Sequence, residues 1–219
     1  TLVSVSSMDS SKDLSQGIAI GSILKTDENS HVEIVRYGKG SGFWRLFYTP
    51  YAEGKNIFIR ILNMCKTFFN APFRYLKLYL TQSWSKSTIV LLFMQSVDTT
   101  ISIKKSIFGG MKTMIGKGKK PSPNIPESKF ITEKYRTIMD GEATSFALET
   151  FAGIPSTAHI LGGAVMGKDK SEGVIDKNNQ VFGYQNMYII DGSMISANPG
   201  VNPSLSITAI AEHAMSQII

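Results

Sequence analysis

The chain has 219 residues, 42% of them hydrophobic and 18% charged, which excludes disorder as the default and favours one or two globular domains. Its formal net charge is +6, but the basic residues are distributed along the chain rather than in one stripe, so no nucleic acid partner is expected. The single cysteine, Cys65, excludes an intramolecular disulfide and a four-cysteine metal site, and no metal is expected.

The first third of the chain carries short β-rich runs separated by turn residues. We predict strands over residues 18–24, 31–37 and 56–62. In the second of these runs, His31 and Glu33 lie on the face opposite to Val32 and Ile34, because strand side chains alternate. Glu33 is therefore expected to face a cavity on the far side of the sheet.

The middle of the chain contains an apolar run over residues 88–94, for which we predict a core strand. The run is far shorter than the roughly 20 residues of a membrane-spanning helix, so no transmembrane segment is expected. The pattern does not fix helix and strand boundaries between residues 68 and 103. Residues 106–126, rich in Gly, Lys and Pro, are predicted to form a long connection, with the lysines Lys112, Lys117, Lys119 and Lys120 in a solvated loop.

The last third is predicted to contain two helices and a strand. The first helix covers residues 131–148 and is interrupted by Gly141. The near-continuous apolar run over 186–190 predicts a strand buried on both faces, with Asp191 at its end. Asn202 is a good N-cap and Pro203 a good first residue for a helix that continues to the end of the chain.

Three glycine-containing motifs stand close together in this last third. They are His159-Ile160-Leu161-Gly162-Gly163, Tyr188-Ile189-Ile190-Asp191-Gly192-Ser193 and Gly200-Val201-Asn202-Pro203. The set resembles the C-terminal signature of the glucose-methanol-choline (GMC) oxidoreductases, and its form is most similar to the cholesterol oxidase branch. The resemblance is strong from Ser156 onward and weak before it.

The resemblance implies an FAD cofactor and the oxidation of an alcohol, such as a sterol 3-hydroxyl, to a carbonyl, with oxygen or another electron acceptor. It implies that His159 hydrogen-bonds the substrate hydroxyl, where an imidazole is a plausible proton acceptor. The residues that it assigns to the cofactor are Gly162, Gly163, Asp191, Gly192 and the turn Asn202-Pro203-Ser204, which faces the flavin ring.

The residues themselves support an anion-stabilising site. The predicted strand, loop and helix would bring backbone N–H groups and the positive end of a helix dipole to one point, where they would stabilise a reduced flavin. Each part also has a plainer interpretation: Asn202 as a helix cap, the glycines as tight turns, and His159 as a structural histidine like His31 and His213.

Glu33 is a weaker candidate. In the cholesterol oxidase branch a glutamate of the substrate domain moves a proton during double-bond isomerisation, and the region around Glu33 resembles it loosely. Pairing with Arg36 or simple solvent exposure explains a lone carboxylate equally well.

We therefore predict an α+β (mixed α/β) protein with two parts. Residues 1–150 would form a substrate-binding domain on a largely antiparallel sheet, and residues 151–219 the C-terminal part of an FAD-binding Rossmann-like domain. The chain contains no Gly-x-Gly-x-x-Gly fingerprint, so the N-terminal dinucleotide-binding part is expected on sequence outside it.

Three alternatives remain open at this point. The chain could be a noncatalytic fragment, or a subunit that needs a partner chain to complete the FAD site. It could also belong to a flavin dehydrogenase that uses an acceptor other than oxygen. The aromatic residues that would suit a hydrophobic substrate could equally be core, namely Phe43, Trp44, Phe47, Phe58, Phe68, Phe69 and Phe73.

Overall fold

A computed structural model describes residues 1–9, 11–107, 109–119, 121–122 and 125–218. The chain divides into two compact units, Thr1–Ser156 and Thr157–Ile219. The first unit holds most of the regular secondary structure. Its elements are β1 (Leu2–Ser7), β2 (Ile20–Lys25), β3 (Ser30–Val35), a 3-10 helix (Ser41–Phe47), β4 (Tyr48–Pro50), α1 (Ile57–Asn70), α2 (Pro72–Leu80), α3 (Trp84–Ser87), β5 (Thr88–Gln95), β6 (Thr99–Lys105), β7 (Met111–Gly118), α4 (Pro126–Ile138), β8 (Gly141–Phe146) and α5 (Ala147–Ala152).

A six-stranded sheet in the order β2-β3-β5-β1-β8-β4 forms the centre of the first unit. Every strand pair in it is antiparallel. The mixed α and β class and the largely antiparallel sheet are therefore confirmed. The predicted core strand over 88–94 is β5, and the run over 31–37 corresponds to β3.

Alternating side chains cover both faces of this sheet with apolar residues. On one face Val5, Val32 and Leu91 pack with Ile131 of α4. On the other face Val90 belongs to a second buried cluster that contains Leu78 of α2, Trp84 of α3, Val35 and Tyr48. Because both faces of the sheet are covered at β5, this strand is a nearly continuous apolar run rather than an alternating one.

The strand predicted over 56–62 is wrong, because these residues begin helix α1. The Asn56 side chain accepts a hydrogen bond from the N–H of Ile59 at 2.9 Å, which caps the helix. The apolar residues between 57 and 62 are so dense that they fit a period of 3.6 as well as a period of 2.

The long connection predicted over 106–126 is also wrong. Met111–Gly118 forms β7, which pairs with β6 in a separate two-stranded antiparallel sheet. All residues of β7 are exposed, so the sequence has no alternation of apolar and polar residues here that would predict a strand. The prediction also included Phe108, Lys120, Pro123 and Asn124, which lie outside the described residues.

The single helix predicted over 131–148 is in fact helix α4 followed by strand β8 and helix α5. Gly141 begins β8, and a Cβ there would approach the carbonyl oxygen of Ser6 to 2.5 Å. The glycine therefore marks a close approach between strands and not a weak point in a helix.

The second unit contains a 3-10 helix (Gly192–Met194) and helix α6 (Ser204–Ser216). The buried strand predicted over 186–190 is wrong, since Met187 and Ile190 are exposed and Tyr188 forms only an isolated bridge with Gln180. Helix α6 begins one residue later than predicted, with Pro203 rather than Asn202 at the N-cap. Ile219 lies outside the described residues. Among the helices that the structure describes, none has the length and apolarity to cross a membrane.

Candidate functional site

Backbone hydrogen bonds join the first two glycine-containing motifs of the second unit. The N–H of Gly162 donates to the carbonyl of Gly192 at 3.2 Å, and the N–H of Ala164 donates to the carbonyl of Ser193 at 3.0 Å. A Cβ at Gly192 would lie 2.8 Å from the carbonyl oxygen of Ile160, so only glycine allows this approach. Residues far apart in sequence therefore meet at one place.

Helix α6 packs against the same place. A Cβ at Gly192 would lie 3.5 Å from Ile207 of α6, and Ile207 packs on the buried cluster formed by Ile175, Val181 and Met194. The structure thus brings the segments around Gly162, Asp191 and α6 together. The third motif, Gly200-Val201-Asn202-Pro203, leads directly into α6, which begins at Ser204.

Asp191 caps the 3-10 helix instead of ending a strand. Its Oδ1 accepts hydrogen bonds from the hydroxyl of Ser193 at 2.5 Å and from the N–H of Ser193 at 2.8 Å. These two hydrogen bonds hold the pKa of Asp191 below its usual value, the hydroxyl being the larger cause. The side chain is exposed, and it carries a negative charge near neutral pH.

The first turn of α6 carries the partial positive charge of a helix N-terminus. Pro203 at the N-cap makes no side-chain hydrogen bond to the helix, and the first turn contains no acidic residue. The first N–H groups of such a helix lack partners within the helix and carry partial positive charge. Ser204 is exposed, Asn202 is half-buried, and Gly200 has a positive φ of 72° just before them.

Gly162 and Gly163 form a surface without side chains. Their φ values are 80° and 109°, a region that disfavours other residues. A Cβ at Gly163 would meet nothing within 4 Å, so the glycine leaves open space above the backbone. Such a surface allows a flat or phosphate-bearing group to approach the main chain closely.

His159 is half-buried in the irregular segment before these glycines. Its backbone N–H donates to the hydroxyl of Thr157 at 3.0 Å, which fixes the local turn. The next residue, Ile160, is largely exposed, so the segment lies at the surface of the second unit.

Glu33 lies in the first unit, whereas the other predicted site residues lie in the second. Its side chain is fully buried, so the solvent-exposure alternative is wrong. The Nε2 atom of buried His31 lies 3.7 Å from Oε1 of Glu33, which places a titratable pair inside the sheet. Arg36 uses its guanidinium group on the carbonyl of Ile18, at 2.9 and 3.2 Å.

Sequence reasoning missed Asn179, whose buried side chain connects segments of the second unit by hydrogen bonds. It is fully buried, has a φ of 66°, and donates from Nδ2 to the carbonyl of Ile189 at 2.9 Å and to Sδ of Met194 at 3.0 Å. The signal was its place in the turn Asp176-Lys177-Asn178-Asn179, because asparagine tolerates the left-handed region.

The aromatic residues considered for a substrate pocket do not fill the core. Trp44 and Phe68 are half-buried. The others are exposed on the first unit: Phe43, Phe47, Phe58, Phe69 and Phe73. Within the described ranges, no group of three or more His, Cys, Asp and Glu side chains is placed to hold a metal ion.

Comparisons with known proteins identify relatives. A family model described as GMC oxidoreductase matches residues 111–211. A cholesterol oxidase of Acinetobacter baumannii is 38% identical over 209 residues, covering 94% of this chain and 38% of the relative. A cholesterol oxidase of Mycobacterium tuberculosis is 38% identical over 213 residues, covering 93% of this chain and 36% of the relative.

A more distant match is a long-chain-alcohol oxidase of Arabidopsis thaliana, 32% identical over 63 residues, or 29% of this chain and 8% of the relative. The chain thus spans little more than a third of the two cholesterol oxidases.

Proposed function

The chain belongs to the GMC oxidoreductase family, and we propose that it forms the C-terminal part of an FAD-dependent enzyme that oxidises an alcohol to a carbonyl. The observation that carries the proposal is the convergence in the second unit. The side-chain-free glycines and the N-terminus of α6 both lie within residues 111–211, which the family model matches.

These residues fit a flavin cofactor. Gly162 and Gly163 would admit the cofactor chain against the backbone, and Asp191 and Gly192 would lie beside it. The backbone N–H groups of the first turn of α6, which begins at Ser204, together with the Asn202 side chain, would face the ring and stabilise negative charge. FAD, when bound, supplies an acceptor for the hydride that leaves the alcohol carbon.

His159 is the proposed catalytic residue. As the hydride leaves the carbon, the alcohol must lose its hydroxyl proton, and a neutral imidazole within hydrogen-bond reach can accept it. Its position in an irregular surface segment suits contact with an incoming substrate.

The proposed substrate is a lipophilic alcohol, such as a sterol. The support is that two matches covering more than nine tenths of the chain are named cholesterol oxidases and that a shorter match is named a long-chain-alcohol oxidase. Glu33, buried beside His31, is the proposed acid–base group for moving a proton after oxidation, if a double bond is isomerised.

The proposal is tested with the full-length protein loaded with FAD. In the absence of oxygen, mixing it with a sterol or a long-chain alcohol should bleach the visible flavin absorbance and produce a carbonyl. Readmitting oxygen then separates an oxidase, which yields hydrogen peroxide, from a dehydrogenase, which does not. A flavin that stays oxidised with every sterol and long-chain alcohol would contradict the proposal.

Glu33 is tested separately with Glu33→Gln in the same protein. The variant should oxidise the alcohol at a near-normal rate but accumulate the unisomerised ketone, which lacks the ultraviolet absorbance of a conjugated enone. If the conjugated product forms as fast as before, Glu33 has no role in isomerisation.

A further inference from the structure

Two polar side chains are buried next to each other in the central sheet of the first unit. His31 and Glu33 lie two residues apart on β3, so they share one face of the sheet. Glu33 is fully buried and His31 is 8% exposed. Nε2 of His31 lies 3.7 Å from Oε1 of Glu33 and, among the residues that the structure describes, has no hydrogen-bond partner. Buried polar atoms usually have such a partner, so a nitrogen held this close to a carboxyl group calls for an explanation.

The neighbouring strands surround this pair mainly with apolar side chains. Glu33 lies opposite Leu92 of β5 and Ile23 of β2, and His31 lies opposite Met94 of β5. Leu92 and Met94 are half-buried, whereas Ile23 is exposed. The carboxyl group of Glu33 is therefore kept from water in surroundings that are largely apolar.

Glu33 needs a hydrogen-bond donor when it is ionised, because a carboxylate in apolar surroundings is otherwise costly. His31 offers one within short reach, since a movement of about 0.7 Å would bring Nε2 and Oε1 to an ordinary N–H···O distance. Lys25 lies opposite His31 on β2, but its side chain is exposed, so water competes for its ammonium group. The histidine is therefore well placed on this face of the sheet to hold the carboxylate.

Isomerisation after oxidation requires the carboxyl group of Glu33 to move one proton twice. The carboxylate first takes a proton from the carbon between the carbonyl and the double bond, and the resulting charge is delocalised onto the carbonyl oxygen as a dienolate. The carboxyl group then gives this proton to the far carbon of the double bond, the carbonyl forms again, and a conjugated ketone results. No other reactant is consumed. The carboxyl group must therefore keep its orientation between the two transfers.

We propose that His31 is a positioning residue for Glu33, with its Nε2–H holding Oε1 while the other carboxyl oxygen carries the proton between the two carbons. The inference rests on the proposed role of Glu33 in isomerisation. Oε1 can accept this hydrogen bond in both charge states of the carboxyl group, so the anchor persists through both transfers. Such an anchor matters because a displacement of about 1 Å at a reacting group can slow a reaction about 100-fold.

Two substitutions at His31 separate positioning from the filling of space. His31→Phe keeps a planar ring of similar size but removes both nitrogens, whereas His31→Gln loses the ring and keeps an N–H donor. If His31 positions Glu33, His31→Phe should be the more impaired of the two variants. If His31 only fills space, the order should be reversed.

The test uses the full-length protein loaded with FAD and supplies the unconjugated sterol ketone directly, so isomerisation is followed without prior oxidation. The ultraviolet absorbance of the conjugated enone measures its rate. Bleaching of the flavin by the sterol, in the absence of oxygen, measures alcohol oxidation separately. His31→Phe should slow isomerisation at least about tenfold more than it slows oxidation, and His31→Gln should recover most of that loss.

Met94→Leu is the matched control, because it alters the side chain opposite His31 without altering a hydrogen-bonding pair. It should change neither rate by more than about twofold. A double variant gives a second check. Adding His31→Phe to Glu33→Gln should slow isomerisation no further, because a positioning residue acts only through the group that it positions.

Three results would overturn the inference. The first is normal isomerisation by His31→Phe while Glu33→Gln is slow, which would remove the role of His31 and leave that of Glu33. The second is equal slowing of oxidation and isomerisation in His31→Phe, or a larger loss in His31→Gln, either of which would mean that His31 only fills space. The third is normal isomerisation by Glu33→Gln, or none by the unaltered protein, which would remove the proposed role of Glu33 and the inference with it.

Discussion

The first unit is held by strand pairs between residues far apart in sequence, whereas the second is held by short backbone links around a small core. In the first unit both faces of a six-stranded sheet carry buried apolar clusters. In the second, one cluster of three buried residues supports a 3-10 helix, helix α6 and isolated bridges.

This contrast separates the unit with the larger apolar core from the unit whose turns require particular residues. A sheet core accepts many apolar sequences, since what matters is volume and alternation. An irregular segment that must turn, approach the backbone or leave space needs particular residues, such as Gly162, Gly163 and Gly192. The second unit therefore carries the motifs, and the first carries most of the buried apolar material.

The largest expected effect follows from replacing His159 by Asn in the FAD-loaded, full-length protein. Alcohol oxidation should slow by at least about 100-fold, because the proton acceptor is lost. Flavin content and the unfolding midpoint should stay unchanged. This result would show that a residue of the second unit can be altered chemically without structural cost.

His213→Asn is the matched control, since His213 lies exposed in the last turn of α6. It should leave the rate unchanged. Equal rates for the two variants would leave His159 as a structural histidine.

In the core of the first unit, a substitution is expected to lower stability rather than the rate of alcohol oxidation. Leu91 is fully buried on β5, and Leu91→Ala should lower the free energy of unfolding by about 3 kcal/mol through lost burial and the cavity left behind. Both tryptophans, Trp44 and Trp84, lie in this unit, so urea unfolding followed by their fluorescence reports on it.

Leu80→Ala, at an exposed position of α2, serves as the comparison and should change stability by less than about 0.5 kcal/mol. Similar losses in both variants would mean that burial in the sheet does not set the stability of the first unit.

The stability of the second unit should instead depend on single turn residues. Asn179→Ala should cost about 2 kcal/mol, because it removes the hydrogen bond to Ile189 and forces alanine into the left-handed region. Asn179→Gly loses the same hydrogen bond but accepts the backbone conformation, so it should cost about 1 kcal/mol less.

The Val181 amide donates a hydrogen bond to the carbonyl of Met187, so its hydrogen-exchange protection reports the stability of the second unit in both variants. Equal protection in the two would show that the backbone conformation at Asn179 carries no cost.

In the first unit the sequence predicted β2, β3 and β5, although β2 is largely exposed, and it failed at β7 and α1. Strands β3 and β5 follow from apolar patterns, since both lie at the centre of the sheet. Strand β7 is exposed along its whole length, so hydrophobic patterning gave no sign of it. Helix α1 was mistaken for a strand because its apolar residues are nearly continuous.

In the second unit the sequence predicted the turn and helix-cap positions better than it predicted regular secondary structure. The glycines and the start of α6 were expected within one residue, because turn and cap chemistry is local. The buried strand before Asp191 was not found, because apolar residues over 186–190 do not reveal whether anything will cover them. The alternating faces of β3 predicted that Glu33 faces a cavity on the far side of the sheet. Neither its complete burial nor its proximity to His31 was anticipated.

The smallest expected effect concerns the charge beside the glycines. Asp191 has its pKa lowered by hydrogen bonds from Ser193, so it favours the folded state at pH values above its ordinary pKa of about 3.9. That contribution should disappear as the pH falls through the lower pKa of the folded protein. Ser193→Ala removes the hydroxyl donor but keeps the backbone N–H, so the titration midpoint of the Asp191 carboxyl should rise part of the way to its ordinary value.

Carbon-detected NMR across acidic pH measures the Asp191 midpoint directly. Ser171→Ala provides the same test at Asp169, which accepts an equivalent pair of hydrogen bonds from Ser171 in the same unit. If Ser193→Ala shifts only Asp191 and Ser171→Ala shifts only Asp169, each carboxylate is set by its own turn. A shift of both midpoints in either variant would instead mean that the second unit responds as one cooperative structure, and the contrast with the first unit would be weaker than the hydrogen bonds indicate.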